Sequence, residues 1–136
     1  MSCVAAMLVG AALAANATTP RPPNSVVYDC AMDTDATHNW VAKRVEFAYD
    51  AKANTVQVLD SIERHFTGGP MNGAVRTDSD GRTVFDWTVE ATDSKHRSVT
   101  VRYDATLTKP GDTVFLRETV NGYNNLDVSQ GHCVLR

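Results

Sequence analysis

No lysine or arginine precedes Arg21, and no cysteine stands between Cys30 and Cys133. The chain has no Cys-x-x-Cys, and its four histidines, His38, His65, His96 and His132, stand singly, so no pair has metal-ligand spacing. It has no Gly-x-Ser-x-Gly and no glycine-rich phosphate loop, which leaves nucleophile-elbow hydrolysis and P-loop chemistry without a carrier. After residue 20 there is no apolar run of the roughly 20 residues a membrane helix needs, no low-complexity tract and no repeat. The formal net charge of −3 gives no general surface for nucleic acid. Catalytic, metal and cofactor sites are therefore expected to be absent.

What is present begins with the apolar stretch 4–15 and the Ala15-Asn16-Ala17 cleavage pattern after it. Together they predict a secretory leader over 1–17 and a periplasmic or secreted protein. Residues 18–25, with Pro20, Pro22 and Pro23, cannot pair in a sheet and are expected to form a tether before a single domain, 26–136. Removal of the leader takes Cys3 with it and leaves two cysteines, which pair in an exported protein. Cys30 and Cys133 fall in the first and last strand-like segments of the domain.

Between them runs a consistent two-residue alternation over 26–32, 41–50, 55–59, 74–78, 83–92, 98–108, 113–120 and 130–135. In 83–92, Phe85, Trp87, Val89 and Ala91 share one side, with Asp86, Thr88 and Glu90 on the other. In 98–108, Val99, Val101, Tyr103, Ala105 and Leu107 oppose Thr100, Arg102, Asp104 and Thr106. Strands buried on one face and wet on the other form antiparallel sheets. Short turns, Asp80-Gly81 and Pro110-Gly111 among them, make sequential strands neighbours. The expected fold is all-β: an eight-stranded antiparallel up-and-down barrel, with a disulfide joining the two strands that would otherwise be open edges. A two-sheet sandwich is the alternative. Asp60, followed by Glu63 three residues on, marks a capping box for a short helix over 60–66, which would plug one end; a plain loop competes with it.

Two charges fall in apolar registers: Lys43 in phase with Val41, Val45 and Phe47, and Glu118 with Val114, Leu116 and Val120. With Trp87 and Tyr103 they are the candidate ligand-binding residues at a barrel mouth, since a few polar groups among apolar walls orient a ligand. The competing reading puts both charges at the rims, where they snorkel to water. The inward Phe47, Tyr49, Phe85, Trp87 and Tyr103 are large, and an eight-stranded barrel is only just wide enough for filler or one small molecule. Arg64, His65 and Arg76 suggest a basic rim, and Tyr123 a residue that locks the last loop.

Phe66-Thr67-Gly68-Gly69-Pro70, Phe85-Asp86-Trp87, Lys109-Pro110-Gly111, Gly122-Tyr123-Asn124-Asn125 and Gly131-His132-Cys133 occur in an order that resembles a group of small exported all-β proteins of alphaproteobacteria. Members of that group tend to carry lysine where Gly69 stands here, and they bring no catalytic residues with them. The resemblance implies fold and compartment; at fold level the chain is also similar to lipocalin and avidin-like barrels and to small barrel inhibitors of proteases. The functional expectation is an exported, monomeric, non-enzymatic barrel that binds a small amphiphilic molecule or an envelope component. The alternative is a protein-binding module, such as a protease inhibitor, acting through exposed loops.

Overall fold

The computed structural model describes residues 24–34, 40–79, 81–108, 113–121 and 126–136, the side chains of 77–79 and 126 excepted. The expected leader, most of the tether, His38 and Tyr123 lie outside them. Eight strands and one helix follow in order: β1 Val26–Asp33, β2 Arg44–Asp50, β3 Thr55–Asp60, α1 Ser61–Thr67, β4 Met71–Ser79, β5 Arg82–Thr92, β6 Ser98–Thr108, β7 Thr113–Val120 and β8 Leu126–Leu135. Each strand pairs antiparallel with the next, and β8 returns to β1, so the sheet closes as an up-and-down barrel rather than a sandwich. Closure leaves no exposed edge to template aggregation.

The seam between β1 and β8 is held in three ways. Cys30 and Cys133 face one another in register and are bonded, S–S 2.04 Å. Gly131 lets the strands approach closely: a Cβ there would lie 2.5 Å from the Ala31 carbonyl oxygen and 2.8 Å from Met32 Sδ. Outside the barrel, Asp29 accepts hydrogen bonds from Arg44 of β2 (Nε, 2.6 Å, and Nη2) and from Arg136 Nη2 beyond β8. Asp29 sits in an outward register, yet these guanidinium groups cover it to 5 % exposure. The Arg44 hydrogen bonds, with help from Arg136, hold its carboxyl well below the usual carboxylate range.

The inside is filled by side chains of alternate residues. Phe85 packs on Phe47 and Tyr49, with ring centroids 5.3 and 5.1 Å apart. Trp87 meets Phe47 edge-on at 5.6 Å and stacks on Tyr103 at 5.1 Å, its register partner across β5 and β6. Val45, Val58, Val89, Val101, Leu107, Val114 and Leu116 complete a core with almost no exposed surface. Each such side chain withdraws an apolar area worth about 1.5–3 kcal/mol from water.

Three strand starts differ from the sequence expectation by more than one residue. β2 starts at Arg44, not at residue 41, because Val41 and Ala42 are both buried and the alternation breaks there. That segment folds across the barrel end instead: the Tyr103 hydroxyl donates to the Trp40 carbonyl at 2.6 Å, and Met32 N–H donates to the Lys43 carbonyl at 2.8 Å. β4 begins at Met71, through Asn72 and Gly73, which carry no apolar alternation; β8 begins at Leu126, where the sequence alternates but Val128 faces out and Ser129 is buried.

α1 follows β3 directly. Asp60 is its N-cap, with Oδ1 accepting from Ile62 N–H (2.7 Å) and Glu63 N–H (3.0 Å), and Gly68 in the left-handed conformation (φ 84°) ends it. The helix buries Ile62 and Glu63 and rests Phe66 against Trp40, ring centroids 6.0 Å apart. Together α1 and residues 40–42 cover the end of the barrel at which β1, β3, β5 and β7 finish.

Candidate functional site

The structure divides the four candidate binding residues into two places. Trp87, Tyr103 and Glu118 form one row across three neighbouring strands: Trp87 is the register partner of Tyr103, and Tyr103 of Glu118. All three are buried inside, Glu118 at 1 % exposure, well away from any snorkelling rim position. Lys43 does not join them. It lies exposed in the bend before β2, since the break at Val41–Ala42 turns its side chain out of the inward phase. The expected barrel-mouth site bounded by all four is therefore not assembled.

Glu63 takes the place expected for Lys43. Its side chain does not reach back to complete a capping box; it points into the barrel, and Oε1 accepts a hydrogen bond from Trp87 Nε1 at 2.7 Å. A partial signal for this existed: on a helical period Glu63 stands beside Phe66, at the margin of the face that Ile62 and Phe66 turn inward. The result is an acidic interior. Asp60, Glu63 and Glu118 all bear on the Tyr103 hydroxyl, and no lysine or arginine is buried among the described residues.

The electrostatic consequences follow from desolvation. Burial, then the neighbouring Asp60 carboxyl, pushes Glu63 up to about 8. Burial, then Asp127, pushes Glu118 up to about 7. Burial and the surrounding acids raise Tyr103 far above the ordinary phenol range. One oxygen of Glu63 and one of Glu118, with the Ser129 hydroxyl, have no hydrogen-bond partner among the described residues. An uncharged carboxylic acid is far cheaper to bury in this way than a carboxylate. The interior can hold protons, among stacked rings and aliphatic side chains.

Lys43 belongs to an open groove of about 760 Å³ on the outside of the same end, which it lines with Arg44, Leu59, Ser61, Arg64 and His65, among others. Its charges are unevenly committed. Asp60 is spent on capping α1, Glu46 accepts from Arg136 Nη2 at 3.2 Å, and Arg44 is tied to Asp29. Lys43 and Arg64 make no ion pair among the described residues. The basic rim expected from Arg64, His65 and Arg76 is split, because Arg76 lies at a β4 bulge and pairs with Asp104 (2.8 Å) and Asp86 (3.2 Å).

A third exposed feature is the 93–97 turn between β5 and β6. Asp93 organises it: Oδ1 accepts from Lys95 N–H (2.9 Å) and Arg97 N–H (2.8 Å), and Oδ2 accepts from Arg97 Nε (2.9 Å). His96 takes a left-handed backbone, φ 61°, and Lys95, His96 and Arg97 face water.

No family model, curated protein or solved structure matches the chain. Among the described residues no group of three or more histidine, cysteine, aspartate or glutamate side chains is placed to hold a metal ion. No helix there is long and apolar enough to cross a membrane.

Proposed function

We propose that this is an exported, non-enzymatic barrel that binds a small amphiphilic molecule or an envelope component on the outer surface of its helix-covered end. The observation that carries this reading is the closed interior: Trp87 stacks on Tyr103, Glu63 is bonded to Trp87, and α1 with residues 40–42 lies across the opening. The larger of the two outer concavities described is the groove beside α1. Export is supported by the Cys30–Cys133 bond, which persists in oxidising compartments, and by the leader-like start of the sequence.

The test is native mass spectrometry of protein taken from its own source, followed by NMR of the Trp87 indole N–H, assigned with Trp40→Phe. A co-purifying molecule that leaves this resonance in place supports the reading. A molecule that shifts it strongly has broken the Trp87–Glu63 bond and entered the barrel, and the reading falls.

The second reading, a protein-binding module such as a protease inhibitor, draws on the 93–97 turn. Its geometry is held by three hydrogen bonds that the Asp93 carboxylate accepts, and a pre-ordered loop binds with less entropic cost. Asp93→Ala would then weaken capture of a co-purifying protease severalfold and leave the groove's ligand untouched.

A further inference from the structure

We infer that the groove beside α1 binds the phosphate-class head group of a small amphiphile, with Lys43 and Arg64 on the head and Leu59 under the apolar body. This rests on the outer-surface reading above and names its ligand.

The argument is one of charge already spent and charge left over. Both acids of the groove are occupied within the fold: Asp60 by the two N–H groups of α1, and Glu46 by Arg136. Arg44 is neutralised by Asp29. What faces the open volume is the ammonium of Lys43, the guanidinium of Arg64, the Ser61 hydroxyl and the His65 imidazole, which is set edge-on to Phe66 at 4.6 Å. Every one of these groups can donate to an anion, and arginine matches phosphate oxygens with two parallel N–H bonds. Leu59 is half-buried between them and offers an apolar surface next to the donors. Cations at one side of an apolar floor fit a ligand with an anionic head and a hydrocarbon body better than they fit a free ion.

The groove is also firmly framed. Its walls are β2, β3 and the first turns of α1, and α1 is anchored from inside by Ile62 and the Glu63–Trp87 bond. The donors are therefore presented by fixed backbone, although Lys43 and Arg64 keep their side-chain freedom until a ligand arrives.

The experiment titrates the full chain at low ionic strength with dodecyl phosphate, inorganic phosphate, and vesicles of phosphatidylglycerol or phosphatidylcholine, while the Trp87 indole resonance is followed. Dodecyl phosphate is expected to bind well below about 1 mM. Lys43→Met and Arg64→Met should each weaken it about threefold to tenfold, the range of a surface charge-assisted contact. Lys52→Met, in the 51–54 turn at the opposite end, should leave it unchanged. Leu59→Ser should weaken dodecyl phosphate and not inorganic phosphate. Inorganic phosphate binding as tightly as dodecyl phosphate overturns the apolar component. Binding of phosphatidylglycerol vesicles without dodecyl phosphate overturns the small ligand in favour of a lipid surface. No binding below about 1 mM, or equal losses in Lys43→Met and Lys52→Met, overturns the site. If the Trp87 resonance stays fixed in those cases, only the groove assignment fails; if it moves on binding, the outer-surface reading fails with it.

Discussion

Glu63→Gln should flatten the pH dependence of stability. In the folded protein Glu63 keeps its proton up to about 8, chiefly because burial disfavours the carboxylate. In the unfolded chain it ionises near the ordinary value of about 4.3. Between these values the folded state binds a proton that the unfolded state has lost, so stability falls as pH rises. The contribution is whole below the ordinary carboxyl value and is lost progressively up to pH 8. At about 1.4 kcal/mol for each pH unit across that window, the total is about 4–5 kcal/mol, a large share of the 5–15 kcal/mol that ordinarily holds a domain. Glutamine can still accept from Trp87 Nε1 and carries no titrating proton, so the variant should lack most of this slope. Glu118, raised to about 7, adds a smaller slope of the same sign that Glu118→Gln should remove. Urea unfolding at pH steps from 5 to 8.5 measures both. A parent profile that is flat over this range, or one parallel to that of Glu63→Gln, would refute the argument from desolvation.

Other variants probe the frame. Reduction, or Cys30→Ala with Cys133→Ala, opens a closure spanning 103 residues, and the urea midpoint should report a loss of about 4–5 kcal/mol. Gly131→Ala places a methyl against the Ala31 carbonyl and Met32; a thermal melt should show about 1–3 kcal/mol lost to overpacking at the seam. Tyr103→Phe strands the Trp40 carbonyl and should cost about 1–2 kcal/mol in urea, with faster amide exchange in residues 40–43.

The barrel was legible in the sequence because its two longest strands, β5 and β6, alternate without a break. Thr83–Thr92 and Ser98–Thr108 have their apolar sets on one face, and the observed register keeps Phe85, Trp87, Tyr103 and Leu107 inside. The cysteine pair could be read from position alone, as the two ends of a closing meander. The candidate site was only partly legible. Glu118 was found because it interrupts an apolar phase. Lys43 reads as inward because Val41, Val45 and Phe47 share its phase, yet the chain leaves the sheet before Arg44 and its Trp40 carbonyl accepts from Tyr103. Glu63 reads as a capping residue because Asp60 and Glu63 satisfy that pattern, and in a seven-residue helix a side chain at the margin of the inward face can turn either way. Asp29 was hidden for another reason: its burial is made by Arg44 and Arg136, one of them 107 residues away in sequence.

The seam has a consequence for the order in which this protein can assemble. β1 has two neighbours, β2 soon after it and β8 at the far end of the domain, and the latter supplies Cys133, Gly131 and the approach to Arg136. A chain emerging from its N-terminus can zip hairpin upon hairpin from β1 to β7, but the first strand keeps an unpaired edge and a free thiol until β8 appears. Seven strands are thus an open sheet with one half of a disulfide; the eighth closes the barrel and sets Cys133 opposite Cys30, where an oxidant of the thiol–disulfide class can take two electrons and join them. Truncation within β8 should leave an edge that pairs with other chains, so this strand acts as the protein's own protection against polymerising.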